Sequence, residues 1–169
     1  IVDVLEVATN CGFKVFDDVS TRGGAIRAMA VPGGGEFTRS KMDKLTALAK
    51  QMGAKGLVWI KCDDKGELTS PIKKFFDDAK FEEIFKTAGG EKGGAVFMVA
   101  DDFSVTCSAL GFLRNTLGKE LNLIDESVDK FCWVLDFPLL EYDTDNRRWV
   151  ACHHPFTMTH DSDVDKMLS

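Results

Sequence analysis

The chain has 169 residues, 44% of them hydrophobic and 28% charged, with a formal net charge of −6. That is long enough to bury a core in one or two domains, and the composition is ordinary for a soluble globular protein. No apolar run approaches bilayer length, and Ile1–Glu6 carries neither a basic leader nor a sustained apolar stretch, so the expectation is neither a membrane span nor a signal peptide. A first residue of Ile rather than Met is expected of a processed chain or a fragment. The acidic balance does not advertise nucleic-acid binding, although it permits a local basic face. Five cysteines (Cys11, Cys62, Cys107, Cys132, Cys152) stand far apart with no CxxC pair. They argue against a disulfide framework and for a reducing, cytoplasmic location.

In chain order, Phe13 to Phe16 alternates like a short strand and Asp17 to Gly24 reads as a polar turn. Ala25 to Val31 predicts a strand ended by the breaker Pro32-Gly33-Gly34-Gly35. Arg39 to Met52 predicts a helix, with Met42, Leu45, Leu48, Ala49 and Met52 on one face, Thr38 as N-cap and Gly53 as stop. Gly56 to Lys61 suits a buried strand. Ser70-Pro71 opens a second helical stretch, whose apolar faces come from Phe75, Phe76, Phe81, Ile84 and Phe85. Glycines at 89–90 and 93–94 bracket a turn before the strand Ala95 to Ala100. Ser104 to Leu121 is again helical, with Val105, Ala109, Leu110, Leu113, Leu117 and Leu121 on a common face. This order predicts a two-layer α+β unit, with helices on one face of a mainly antiparallel sheet. Beyond Asp125, the segments Phe131 to Phe137 and Arg148 to His153 predict a β-hairpin across a polar turn, Glu141 to Arg147. The tail after Thr157 reads as irregular.

The densest polar group is Cys152-His153-His154-Pro155-Phe156-Thr157. Neighbours on a strand point to opposite faces, so His153 and His154 would not converge on one metal ion. The plain alternative is one packed and one solvated histidine. The functional reading is an imidazole at a strand end that donates a hydrogen bond to a ligand carboxylate. Asp161, Asp163 and Asp165 lack the glycine and closing glutamate of a calcium loop and read as a solvated tail. Gly33-Gly34-Gly35 is neither GxGxxG nor followed by GK[ST], so a tight strand-to-helix connection is favoured over a phosphate cradle. Asp136 interrupts an apolar strand and has no assigned role. Arg27, Arg39, Lys41, Lys55 and Lys61 form a basic patch if the sheet edge and helix end lie together, and are solvated faces otherwise.

Several of these segments resemble a known family. Gly24-Ala25-Ile26-Arg27-Ala28-Met29-Ala30-Val31-Pro32-Gly33-Gly34 is similar to the opening strand and turn of the GAD domain, and Phe37-Thr38-Arg39 with Met42-Asp43 continues the pattern. Gly53 to Lys61, Ser70 to Phe75, Ala109 to Arg114 and Leu117 to Leu121 also match. The GAD domain is shared by bacterial aspartyl-tRNA synthetases and some tRNA-dependent amidotransferase subunits. Trp133 to Leu139, followed by Trp149-Val150-Ala151 and His153 to Thr157, is similar to the synthetase catalytic domain where it resumes after the GAD insertion.

The resemblance implies a GAD insertion domain over residues 1–124 and a partial class II catalytic domain over 125–169. It implies a parent ligase, expected to be a homodimer, that activates L-aspartate with ATP and Mg²⁺ and transfers it to tRNA-Asp, or to tRNA-Asn as well. Carried over, His153 contacts the bound aspartate and His154 lines the same region. Arg27, Arg39 and Lys41 are candidate tRNA contacts. Met158-Thr159-His160 departs from the family, which has a proline there. The 169 residues contain neither the Phe-Arg-Asp-Glu segment used on the ATP phosphate, nor a closing segment ending in Glu-Arg, nor an anticodon-binding barrel. The expectation is therefore an inactive fragment that binds no cofactor and holds no catalytic residue or metal site, since most electrostatic stabilisation of adenylate formation resides in the missing groups. The alternatives are an independent tRNA-binding module and a piece of an amidotransferase subunit. The His153 to Thr157 segment argues against the latter.

Overall fold

The computed structural model describes residues 1–135, 138–143, 146–152 and 160–167. The chain divides into two units, Ile1–Asp125 and Glu126–Ser169. The first is built on an antiparallel sheet of five strands: β1 (Val2–Asp3), β2 (Ala25–Val31), β3 (Val58–Cys62), β4 (Leu68–Thr69) and β5 (Ala95–Asp101), in the spatial order β1-β2-β5-β3-β4. β2 and β5 pair along their whole length, from Ala25↔Asp101 to Val31↔Ala95. β3 covers the other edge of β5 from Val58↔Met98 to Lys61↔Ala95.

Successive side chains of these strands go to opposite sides. Ile26, Ala28, Ile60, Val96 and Met98 enter one core, with α1 (Leu5–Ala8), α2 (Lys14–Thr21) and α4 (Asp78–Thr87) over it. Met29, Val31, Ala95, Phe97 and Val99 enter a second core under α3 (Arg39–Gln51) and α5 (Phe103–Glu120). The α+β class and the antiparallel sheet hold. The placing of helices on one face does not: both faces are covered, so the unit has three layers. The apolar runs of β2 and β5 need this, since neither has a polar face to give to water.

Two further expectations are corrected. Phe13 to Phe16 is not a strand but leads into α2, and the expected turn after it is that helix. Phe16 and Val19, three residues apart, are both buried, and the Phe13 ring meets Phe16 edge-on at 4.9 Å. The second long helical stretch starts at Asp78, not at Ser70. Ser70-Pro71 leads only into a 3₁₀ turn over Lys73–Phe75, and the cap of α4 is Asp77, whose carboxylate accepts from Lys80 N at 2.7 Å. α3 is as expected: Thr38 Oγ1 accepts from Lys41 N at 3.3 Å, and Met42, Leu45 and Ala49 are buried.

The three consecutive glycines have a packing explanation. Gly33 has φ +71, where an L side chain is strained. A Cβ on Gly35 would lie 2.4 Å from the Cys62 carbonyl oxygen, and one on Gly34 would lie 2.8 Å from the Ala95 Cβ. Gly35 N donates to Gly93 O at 3.0 Å, so one amide that a phosphate cradle would use is already committed.

At the far end of β5, Asp101 is only 3% exposed. Its Oδ1 accepts from Arg22 Nη2 at 3.0 Å, Lys55 Nζ at 3.2 Å and Asp102 N at 2.9 Å. Arg22 follows α2 and Lys55 follows α3, so one carboxylate ties the end of the central strand to a helix on each face. Burial pushes the Asp101 pKa up, but the hydrogen bonds from Arg22, the Asp102 amide and Lys55 outweigh it and hold the carboxyl below its ordinary value.

In the second unit, β6 (Leu140–Asp143) and β7 (Arg148–Ala151) form an antiparallel hairpin, with Tyr142 opposite Trp149 and their rings edge-on at 5.4 Å. The turn is held by Asp143, which accepts from Asn146 N at 3.0 Å. The hairpin is as expected, but its first strand is not. Phe131 to Leu135 is not extended into a strand, and Phe131 and Trp133 are 96% and 93% exposed. The expected turn residues Glu141 to Asp143 supply the strand instead. Asp136 lies outside the described residues. The tail, expected to be irregular, contains a short helix, α6 (Val164–Met167).

Gly35→Ala should cost about 1–3 kcal/mol, because the new methyl meets backbone. Gly56→Ala, with nothing within 4 Å, should stay within about 0.5 kcal/mol of wild type, both read from urea unfolding midpoints. Asp101→Asn should lose about 1.5–3 kcal/mol at neutral pH. The folded carboxyl gives up its proton more readily than the unfolded one, so its contribution is complete above about pH 4. It fades as the pH falls below that value toward the folded-state pKa. Unfolding measured against pH should therefore show a shallower acid limb for Asp101→Asn than for the wild type.

Candidate functional site

The residues expected to contact aspartate, His153 and His154, lie outside the described residues. The structure reaches Cys152, directly before them, where Cys152 N donates to Leu139 O at 3.0 Å beyond the end of β7. The Cys152 thiol pKa is pushed up by desolvation and by the adjacent Glu141 carboxylate, so the thiol holds its proton and is a poor nucleophile.

The expected basic residues do not form one patch. Arg27, on β2, lies 4.9 Å from the ring centroid of Phe103, the first residue of α5, and 3.6 Å from an Asp3 carboxylate oxygen. Lys41, on α3, pairs with Glu120, the last residue of α5. The length of α5 puts about 25 Å between those two ends. Lys61 Nζ donates to Phe37 O at 2.8 Å, and Lys41 Nζ lies 5.7 Å from the Phe37 ring centroid, so these two converge. Lys55 belongs instead to the Asp101 group. Arg39 pairs with Asp43 one turn on, at 3.1 Å, and is 81% exposed, against 27% for Arg27 and 22% for Lys41.

Sequence reading missed the Asp101 group. Its partners lie 79 and 46 residues away, and the one local signal was an acidic pair, Asp101-Asp102, closing an apolar run. It also missed a cleft of about 620 Å³ between β4, α4 and the 90–92 turn, floored by Cys62, Leu68, Phe81 and Phe85. At its rim Lys73 lies 3.5 Å from Asp78, and Lys86 lies 2.7 Å from Glu82. Burial keeps the Cys62 thiol pKa high. Among the described residues no group of three or more His, Cys, Asp or Glu side chains is arranged to hold a metal ion. Also among them, no helix is long and apolar enough to cross a membrane.

Comparison with known proteins gives a consistent set of relatives. The chain is 43% identical over 165 residues to an aspartate–tRNA(Asp/Asn) ligase of Persephonella marina, covering 98% of this chain and 27% of the relative. It is 45% identical over 168 residues to an aspartate–tRNA ligase of Staphylococcus carnosus, covering 99% and 28%. It is 46% identical over 164 residues to an aspartate–tRNA(Asp/Asn) ligase of Bacillus mycoides, covering 96% and 28%. The chain thus spans little more than a quarter of the length of the curated relatives it matches. The family described as the GAD domain matches residues 16–110, more than half of the sequence, and the chain belongs to the GAD domain family.

Proposed function

We propose that the chain is part of an aspartate–tRNA ligase, with residues 1–124 as its GAD insertion domain and 125–169 as a piece of its class II catalytic domain. One observation carries this reading. The GAD match ends at residue 110, whereas the likeness to aspartate–tRNA ligases runs over 96–99% of the chain. It therefore takes in the hairpin unit, which a GAD domain on another protein would not share.

In this reading the complete ligase activates L-aspartate with ATP and Mg²⁺ and transfers the aspartyl group to tRNA-Asp, or to tRNA-Asn as well, as a cytoplasmic homodimer. ATP and Mg²⁺ supply the activated phosphate and its charge neutralisation. The described residues offer no group of three or more His, Cys, Asp or Glu side chains for the metal. This chain contributes a substrate contact: His153, two residues past β7, donates to the aspartate carboxylate, and His154 lines the same pocket.

The GAD unit acts as an accessory that touches the tRNA. Of Arg27, Arg39 and Lys41, Arg39 suits a phosphate best, because its pair with Asp43 is exposed on both sides and cheap to exchange. Arg27 and Lys41 are held against α5 and act first on stability.

The 169-residue chain should show no aspartate-dependent ATP–pyrophosphate exchange above the blank, and measurable exchange would overturn its reading as an inactive part. In the complete ligase, His153→Ala should lower kcat/KM for aspartate about 10- to 100-fold, the worth of a hydrogen bond to a charged group. An unchanged value would remove His153 from the site. In gel-shift titrations of this chain with tRNA, Arg39→Ala should weaken binding and reduce the salt slope by about 1, with the melting temperature unmoved. Arg27→Ala should lower the melting temperature instead.

A further inference from the structure

β4 is an edge strand of the sheet, and it is short because Pro71 has no N–H with which to pair further along β3. Cys62 N donates to Gly94 O, toward β5, and Asp63 N donates to Glu67 O at 3.1 Å. Antiparallel hydrogen bonding alternates along a strand, so Glu67 and Thr69 face β3 and Leu68 turns its N–H and C=O outward. Leu68 is half-buried, and among the described residues its N–H has no partner. Its carbonyl oxygen accepts from Lys73 Nζ at 3.4 Å, which leaves a lone pair for a second donor. A half-buried amide left unpaired is the exception in folded proteins.

The cleft of about 620 Å³ lies along this edge. Its far wall is a stripe of α4 formed by Asp78, Glu82 and Lys86, four residues apart, with Phe81 and Phe85 beneath. Leu68 packs against the core that α4 covers. A residue placed opposite Leu68 therefore sends its side chain to the same side, into the cleft. At the Gly66 end, the Lys92 Nζ lies 3.9 Å from where a Cβ on Gly66 would stand. Lys73 and Lys86 are paired with Asp78 and Glu82, whereas Lys92 has no ion pair among the described residues.

We infer that this groove binds an extended segment of another protein, which joins the sheet as a strand antiparallel to β4 and carries an apolar residue followed, two positions on, by an acidic one. Strand addition takes its affinity from main-chain hydrogen bonds and its specificity from pockets for alternate side chains, and both are on hand here. Leu68 is the one β4 residue that faces outward. An antiparallel partner satisfies both of its backbone groups with a single residue, which a parallel one does not. That residue is the apolar anchor, and its side chain enters the cleft over Phe81 and Phe85. Two positions later the segment passes Gly66 with its side chain on the same side, where the free ammonium of Lys92 calls for a carboxylate.

The test titrates the 169-residue chain with the capped peptide acetyl-Thr-Thr-Phe-Thr-Glu-Thr-amide and follows the backbone amide of Leu68 by NMR. The Leu68 signal should shift and saturate, and its exchange with solvent should slow about tenfold. Three altered peptides, with Ala for Phe, with an N-methyl group on Phe, and with Lys for Glu, should each bind about tenfold more weakly. The N-methyl group removes the donor to the Leu68 carbonyl and leaves the side chain in place. Lys92→Glu, at an exposed position, should reverse the preference between the Glu and Lys peptides. No saturable shift at Leu68 up to about 5 mM peptide would overturn the inference. Equal binding of the Ala or N-methyl peptide would overturn it as well. A Lys peptide that binds the unaltered chain as tightly would put Glu91 rather than Lys92 at the contact, with the same result. Protection of Leu68 that rises with protein concentration alone would assign the edge to a second copy and overturn it too.

Discussion

Ala95 to Val99 of β5 are buried on both sides, and this one strand sets the terms for the first unit. Such a strand must be flanked by strands at both edges and by apolar helices above and below, or its own surface is left in water. β2 and β3 meet the first need. Met42, Leu45, Leu110 and Leu113 on one face, and Phe16, Phe81 and Ile84 on the other, meet the second. The close approach of the Gly34–Gly35 loop to Ala95 and the carboxylate of Asp101 fasten the two ends of the same strand.

Much of this was legible in the residues, and the misses have physical causes. β2, β3 and β5 announce themselves as short apolar runs between breakers. α3 and α5 announce themselves by helical spacing over about three and a half turns or more, where the period is unambiguous. Phe13 to Phe16 failed because four residues cannot separate a period of two from contacts three apart. Only Val19, in the next turn, breaks the tie. The two-layer reading failed although its correction was in plain view. Ala95-Val96-Phe97-Met98-Val99 does not alternate, and a strand without a polar face cannot border water. Asp101 was illegible for a different reason, since its cations arrive from distant parts of the chain that only the fold brings together.

The hairpin unit shows the limit of pattern reading more sharply. Phe131 to Leu135 has a strong strand composition, yet it is exposed and unpaired among the described residues. β-propensity measures fit to a half-buried pleated surface, so an apolar run without such a surface has no reason to become a strand. The alternation at Tyr142 and Trp149 succeeds because the partner lies within the same hairpin and the turn at Asp143 fixes the register.

The acidic balance and the paired cations bear on the tRNA question in opposite ways. An ion pair exposed on both sides, such as Arg39–Asp43, contributes little to stability, because water and salt screen it. Exchanging Asp43 for a phosphate therefore costs little, and a local acid does not forbid an RNA contact. Arg27 is different: part of its guanidinium is buried without a hydrogen-bond partner, and the ring of Phe103 lies against it. Moving it toward a phosphate would uncover that ring and leave Asp3 behind. The depth at which each cation is held thus separates candidate contacts from structural ones within one set of basic residues, which neither net charge nor sequence spacing could do.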